Sequence, residues 1–488
     1  MERAESDHAL RHRRDHFCVV QSGHAQAPLN GFMARDLAFD VTGKRVTVAG
    51  AARSGLAAAE LLARRGAHVT LSDTRSEAPG TEPLTRLGVQ LELGGHRTQT
   101  FTTADLIVLS PGVPPEQAAV QAARGGGVPV IAEIELASRW LLGRVVAITG
   151  TKGKSTTTAL TGRMLEAAGF KVTVGGNIGA PLSAQVGDST PDTFHVVEAS
   201  SFQLEQIDTF HPWIAVMLNF SPDHLDRHPD VDAYAAAKAR IFENQDAGDF
   251  AVVNADDPAV LAIARRGRAA MRPFARASSI DHGTVVEDGW IVNRTRDATE
   301  RLVPLEAIHL LGPHLVYDVM AAATVGAIAG AAPTAMTAAV NTFRGLEHAM
   351  ELVADVRGVR FVNDSKATNV EAALRSIESF DRDLVPIIGG RFKGGDLRLL
   401  REPLKARARA VVAIGEARPL VRDALADLID VHDANTFGDA IERAYTLAKP
   451  SGVVLLAPAC ASFDMFRDYA ERGRRFKEEV KRISVRER

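Results

Sequence analysis

Short apolar, β-branched runs alternate along this chain with longer stretches in which apolar residues recur at helical spacing. GKRVTVAG (43–50) reads as a strand, AARSGLAAAELLARRG (51–66) as a helix and AHVTLSD (67–73) as a second strand, which is a βαβ opening. LIVLSPG (106–112) predicts a third strand ending in a loop, and VPVIAEIEL (128–136) a further strand and helix start. RVVAITG (144–150) restarts the pattern with a strand, a loop and a helix from about residue 155 to 168. Apolar strands recur at HVVEASS (195–201), WIAVMLNFS (213–221) and FAVVNADD (250–257), and residues 275–310 alternate like strands joined by turns. From about residue 345, VRFVNDS, LVPIIGG, ARAVVAIG and GVVLLAPA give four buried-type strands separated by helices. Such runs suit parallel sheets covered on both faces, so the expected fold class is α/β, with three domains in series and boundaries near 140 and 344.

Composition narrows the class. At 488 residues the chain exceeds one ordinary core. Its 57 basic and 60 acidic residues give a net charge of −3, without the global basic field that nucleic acid or an anionic membrane requires. The only cysteines, Cys18 and Cys460, exclude a disulfide framework and a four-cysteine zinc site, which fits a reducing cytoplasm. The N-terminus, MERAESDHALRHRRDHF, lacks the apolar core of a signal peptide, and residues 1–35 read as a disordered extension with Met33 as a candidate start. The uncharged run 320–340 is alanine-rich and broken by Pro333, so two packed helices are expected rather than a membrane span.

The candidate chemistry begins at VVAITGTKGKSTTT (145–158). A phosphate loop spelled G-x-x-x-x-G-K-[ST] would place a glycine at 148, where Ile148 stands; Gly150 lies two residues too close, and Lys152 adds a second lysine. Glycines followed by Lys154-Ser155 at a strand-to-helix junction still suit phosphate, with Lys154 reaching the β/γ-phosphates and Ser155 on Mg²⁺. Glu198 ends an apolar strand, where a carboxylate can act on that metal, although it could equally be structural. His224, in the loop NFSPDHLDRH between Asp223 and Asp226, and Lys238, in the alanine-lined YAAAKARIFEN, have bland readings as a structural histidine and a snorkelling lysine. In the first domain, Gly50-Ala51-Ala52-Arg53-Ser54-Gly55 half-matches a dinucleotide fingerprint, but Ala52 replaces the glycine that would admit a pyrophosphate and argues against NAD. Thr74 and Arg75 add a hydroxyl and a guanidinium nearby. The third domain places Asp364, Lys366 and Thr368, then Lys393, then Ser462, in loops after three strands, where open α/β sheets bind ligands.

In this order, TGTKGKST, VEASSFQLE, DHLDRH, AAKARIFEN, NDSKATN and PACASFD closely resemble the Mur ligase family over about residues 36–480. The family's short phosphate loop accounts for the spacing anomaly. The resemblance implies a Rossmann-like domain (36–140) for a UDP substrate, a P-loop ATPase-like domain (141–344) with a mostly parallel sheet, and a Rossmann-like domain (345–488) for an amino acid. NDSKATN and PACAS point to the branch that uses ATP to join D-glutamate to UDP-N-acetylmuramoyl-L-alanine through an acyl phosphate, in peptidoglycan precursor synthesis. It further implies ATP at Gly150, Thr151, Lys152, Gly153, Lys154, Ser155, Thr156, Asp318, Asp364 and Lys366. Two Mg²⁺ ions would sit among Ser155, Glu198, His224 and a Lys238 carbamylated by CO₂. Ser54, Thr74, Arg75, Ser110 and Gly112 would hold the UDP part, with Asn177 beside the nucleotide sugar and the transferred phosphate. Thr368, Lys393, Ser462 and Tyr469 would hold D-glutamate. A monomeric cytoplasmic enzyme is expected.

Four departures affect nucleotide handling. Lys152 replaces an asparagine of the loop; Leu315 and Asp318 stand at two further asparagine positions; Ala349 replaces an arginine associated with ATP. Our hypothesis is that Lys152 supplies the charge lost at Ala349, and an unchanged ATP KM and turnover in Lys152→Asn would exclude it. The alternatives are a nucleotide-binding protein without turnover, and a related ligase that adds another amino acid to a muramoyl or folate substrate.

Overall fold

The computed structural model describes residues 39–224, 227–309 and 315–487, with three sheets in chain order. The N-terminal extension and Asp226 lie outside the described residues. The first sheet comprises β1 (Arg45–Ala49), β2 (His68–Asp73), β3 (Gln90–Leu93), β4 (Leu106–Leu109) and β5 (Val130–Ala132), ordered β3-β2-β1-β4-β5 and parallel throughout. The chain runs outward in both directions from β1, so the loops after β1 and β4 open a crevice at the carboxyl edge. β3 escapes the sequence pattern because, as an edge strand, it buries no continuous apolar run.

The middle sheet contains β6 (Arg144–Thr149), β7 (Lys171–Gly176), β8 (Thr193–Glu198), β9 (Ile214–Met217), β10 (Phe250–Asn254), β11 (Ala270–Ala275), β12 (Gly283–Glu287), β13 (Trp290–Arg294) and β14 (Thr299–Pro304). Their order is β14-β13-β12-β11-β10-β9-β6-β8-β7. Pairing is parallel from β7 to β12 and antiparallel in the β12-β13-β14 meander, which is the alternating segment at 275–310. β6 lies between β8 and β9, so the loops after these three strands emerge side by side. The alanine-rich run folds as two helices, Leu315–Ala329 and Pro333–Thr342. They share a core with the helix Lys154–Ala167 through Leu160, Met164, Val319, Val325 and Met336. Among the described residues, no helix is long and apolar enough to cross a membrane.

The third sheet holds β15 (Glu351–Val356), β16 (Val359–Asn363), β17 (Leu384–Gly389), β18 (Val411–Ile414), β19 (Val431–Asp433) and β20 (Val453–Leu456). Its order is β15-β16-β20-β17-β18-β19, parallel except for β15. The four strands expected from the sequence are the inner four. β15 and β19 are half-exposed edges, and a strand paired on one side only carries a weaker apolar signal. Inserting β20 between β16 and β17 brings together loops that lie about a hundred residues apart in sequence.

Candidate active site

The loop after β6 turns sharply into the helix Lys154–Ala167. Gly153 has a left-handed φ of 80°, and a Cβ there would collide with the Asp318 carboxylate. Glycine is required on both counts. Asn219, in the loop that follows β9, staples the turn. Its Oδ1 accepts the N–H groups of Thr151 (3.1 Å) and Lys152 (2.8 Å), and its Nδ2 donates to Lys152 O at 3.1 Å. Thr151 Oγ1 donates to Ser221 O at 3.1 Å. Lys154 folds back, its Nζ donating to Gly150 O (3.1 Å) and Thr151 O (3.0 Å), and burial lowers its pKa. Lys152 is exposed, and Gly150 and Thr156 complete the turn and the first helical residues.

Glu198, at the end of β8, is buried and gathers two of the expected residues. Its Oε2 accepts from Ser155 Oγ at 2.6 Å, and its Oε1 accepts from Asn177 Nδ2 at 2.9 Å. Lys238 comes from the helix Val231–Ala239 and is only 1% exposed. Its Nζ donates to Gly150 O at 2.7 Å and lies 4.7 Å from the centre of the Tyr234 ring. Burial, aided by the charge on Lys154, lowers its pKa to about 7. Tyr234 and Phe202 also hold His224, an exposed residue with φ 55° whose ring centroid lies 5.1 Å from Phe202 and 6.1 Å from Tyr234. The structure therefore places Lys154, Ser155, Asn177, Glu198 and Lys238 around one loop, with His224 at its rim.

This set fits divalent cations. A buried carboxylate beside a serine hydroxyl supplies hard oxygen donors, and an amine held near neutrality is the form that adds CO₂. The resulting carbamate would keep one N–H for Gly150 O.

Asp318, expected at the ATP site, lies against the phosphate loop at Gly153. It is buried in the helix Leu315–Ala329 beneath the phosphate loop, beside Leu315, and burial pushes its carboxyl pKa up to about 8, opposed by the Thr157 hydroxyl. As a neutral acid it has nearly the shape of the asparagine expected there, with one hydrogen-bond donor where the amide has two.

In the third domain, three loops are knitted at the carboxyl edge of the sheet. Ala459 N donates to Ala367 O (3.0 Å), while Arg391 and Ala461 exchange backbone hydrogen bonds of 2.9 and 3.0 Å. Thr368, Lys393 and Ser462 are thereby carried on neighbouring loops. Lys393 Nζ lies 5.6 Å from the Phe463 ring centre, Ser462 is buried, and Tyr469 is partly exposed at the start of the helix Tyr469–Arg486. Asp364 is buried with a raised pKa; it accepts from Ser376 Oγ and from Met350 N (3.2 Å). Lys366 N donates to His348 O at 3.0 Å, leaving its side chain exposed. Sequence reasoning missed Arg472, which is 2% exposed and clamps this edge: Nε and Nη2 donate to Ser365 Oγ and Ser365 O (2.9 Å each), and Nη1 donates to Cys460 O (3.2 Å). It also missed Arg375, which reaches Asp223 of the middle domain at 3.7 Å. Neither has a local motif to reveal it, because each acts through distant backbone or a neighbouring domain.

The first domain and the β7 loop enclose a cavity of about 410 Å³ lined by Ser54, Thr74, Arg75, Ser110, Gly112 and Asn177, among others. All six expected nucleotide-sugar residues therefore border one space. Ser110 Oγ donates to Gly50 O at 2.9 Å, which pins the β1 and β4 loops together.

Three α/β domains, with a cavity bordered by the first, a lysine-bearing phosphate loop in the second and a knitted sheet edge in the third, define a multidomain phosphate-loop enzyme. The Mur ligase MurD-like N-terminal domain matches residues 44–132, the Mur ligase middle domain residues 148–326, and the Mur ligase glutamate ligase domain residues 348–460. The chain is 45% identical to a UDP-N-acetylmuramoylalanine--D-glutamate ligase of Koribacter versatilis, over 92% of this chain and 99% of that one. It is 46% identical to a protein of the same name from Acidobacterium capsulatum, over 90% and 97%. This chain belongs to the Mur ligase family. In fold it is similar to the UDP-N-acetylmuramate-alanine ligase of Thermotoga maritima (TM-score 0.54, 19% identity, covering 90% of this chain and 99% of that one). The MurF ligase of Thermotoga maritima in complex with ADP is similarly related (TM-score 0.54, 17% identity, 91% and 96%).

Proposed function

We propose that this chain is an ATP-dependent ligase that adds D-glutamate to UDP-N-acetylmuramoyl-L-alanine in peptidoglycan synthesis. The observation that carries the reading is the gathering of Lys154, Ser155, Asn177, Glu198 and Lys238 at one loop, in a chain about 45% identical to ligases of that name along nearly its whole length. On this reading, residues 36–140 take the UDP part, 141–344 take ATP and 345–488 take the amino acid.

The substrate carboxylate attacks the γ-phosphate of ATP, releasing ADP and leaving an acyl phosphate. The amine of D-glutamate then displaces phosphate. The first step brings anions together, and Lys154 swings from Gly150 O and Thr151 O onto the phosphates to offset their charge. Mg²⁺, held by Ser155 and Glu198 and by His224 and a carbamylated Lys238, would supply further charge neutralisation during phosphoryl transfer. Asn177 presents its amide between Glu198 and the cavity, orienting the carboxylate that enters from the first domain. Thr368, Lys393, Ser462 and Tyr469 receive D-glutamate at the third sheet's edge. The third domain excludes water from the acyl phosphate. The enzyme on this reading is a cytoplasmic monomer.

The test uses purified chain, ATP, Mg²⁺, UDP-N-acetylmuramoyl-L-alanine and a panel of amino acids, with phosphate release and product mass measured. Product carrying one added glutamate, formed with the D isomer, is expected. Turnover with a different amino acid would reassign the substrate within the family, and ATP binding without turnover would refute the ligase reading.

A further inference from the structure

The first-domain cavity contains a charge imbalance that points to an additional recognition residue, provided the cavity is the nucleotide-sugar site proposed above. Two arginines, Arg53 and Arg75, and one histidine, His96, line it. Arg75 is engaged: its Nε and Nη2 fork onto Asp73 at 3.0 and 2.9 Å. Asp73 is the only acid lining the cavity, so this pair brings no net charge to a ligand. Asp73 also accepts the Ala51 N–H at 2.6 Å, so a donor in the β1 loop that could face a phosphate is already occupied by a carboxylate. His96 sits within 2.8 Å of Ser72 Oγ and edge-on to Phe101, and burial lowers its pKa, which disfavours a charge on the ring.

Arg53 is therefore the cavity's remaining cation, and among the described residues it has no acidic partner. It opens the helix Arg53–Arg64, whose N-cap Ala52 provides no side-chain cap. Its Nη1 donates to Gly179 O at 3.2 Å, across to the middle domain and two residues from Asn177. The Arg53 guanidinium thus bridges from the first domain to the loop after β7, while Arg75 stays paired with Asp73. A diphosphate carries two negative charges, and a forked guanidinium with uncommitted donors is suited to it.

We infer that Arg53 is a specificity-determining residue that recognises the diphosphate of the nucleotide sugar by charge, and that Arg75, neutralised by Asp73, does not. The hydrogen bond to Gly179 O holds the guanidinium in place before the ligand arrives.

The test titrates UDP and uridine separately onto the full chain by calorimetry, for the wild type, Arg53→Gln and Arg53→Lys. Arg53→Gln keeps a donor for Gly179 O but loses the charge. The expected result is a fall in UDP affinity of about tenfold or more in Arg53→Gln, with uridine affinity held within about twofold and most of the UDP loss recovered by Arg53→Lys. The UDP affinity of the wild type should also weaken with added salt more steeply than that of Arg53→Gln. UDP and uridine falling together would make Arg53 a brace between domains and overturn the inference, as would unchanged UDP affinity. If the wild type binds neither UDP nor uridine, the nucleotide reading of the cavity fails, and the inference with it.

Discussion

A carboxyl group lies directly beneath the phosphate loop, where a negative charge would repel a triphosphate most strongly. Asp318 is tolerated there because burial keeps it protonated up to about pH 8. Its folded pKa lies above the unfolded value of 3.8, so between these two pH values the native state binds one more proton than the unfolded state. Stability therefore falls as pH rises through that window. Asp318→Asn removes this slope. The variant is expected to gain roughly 1–3 kcal/mol over the wild type between pH 5 and pH 7, read from urea unfolding at each pH. A difference independent of pH would mean that Asp318 titrates normally. The other departures from the family pattern act less directly. Lys152 is exposed with its backbone tied to Asn219, so the charge hypothesis for it stays a matter for kinetics.

At the level of elements, the third domain depends on one side chain that no motif advertises. The helix Tyr469–Arg486 delivers Arg472 beneath the loops after β16 and β20, where it makes three hydrogen bonds to Ser365 and Cys460. Removing a buried, hydrogen-bonded cation leaves its acceptors unpaired. Arg472→Met is expected to cost about 2–4 kcal/mol in chemical denaturation, and to raise the KM for the amino acid more than that for ATP. Equal effects on both KM values would mean that the clamp serves only the fold. The phosphate loop, by contrast, is stapled by Asn219 from the adjacent strand end, a contact set by the β6–β9 pairing.

For the whole molecule, the ion pair between Arg375 and Asp223 links the third domain to the loop that carries His224. Both side chains are partly exposed (41% and 32%), and such pairs contribute little to stability. Arg375→Ala is therefore expected to move the melting temperature by no more than about 2 °C. Its effect should instead fall on domain closure, seen as a larger radius of gyration by small-angle scattering with nucleotide present. A large loss of melting temperature, or an unchanged radius, would contradict this.

The sequence by itself determined the α/β class, the strands buried at the centres of the sheets, the phosphate turn at Gly150–Ser155 and, through family resemblance, the residues gathered around it. These are local properties: apolar runs mark strands covered on both faces, and glycines beside a lysine mark a turn whose backbone must approach a ligand. The edge strands β3, β15 and β19 stayed hidden because half-exposed strands carry no continuous apolar signal. Only the tertiary structure decided that Asp318 lies beneath the loop, that Arg75 is neutralised by Asp73 while Arg53 is not, and that Arg472 and Arg375 join distant segments. Each of these depends on which groups share a space and on how much water they lose, and those quantities are set by strand order and packing rather than by spacing along the chain.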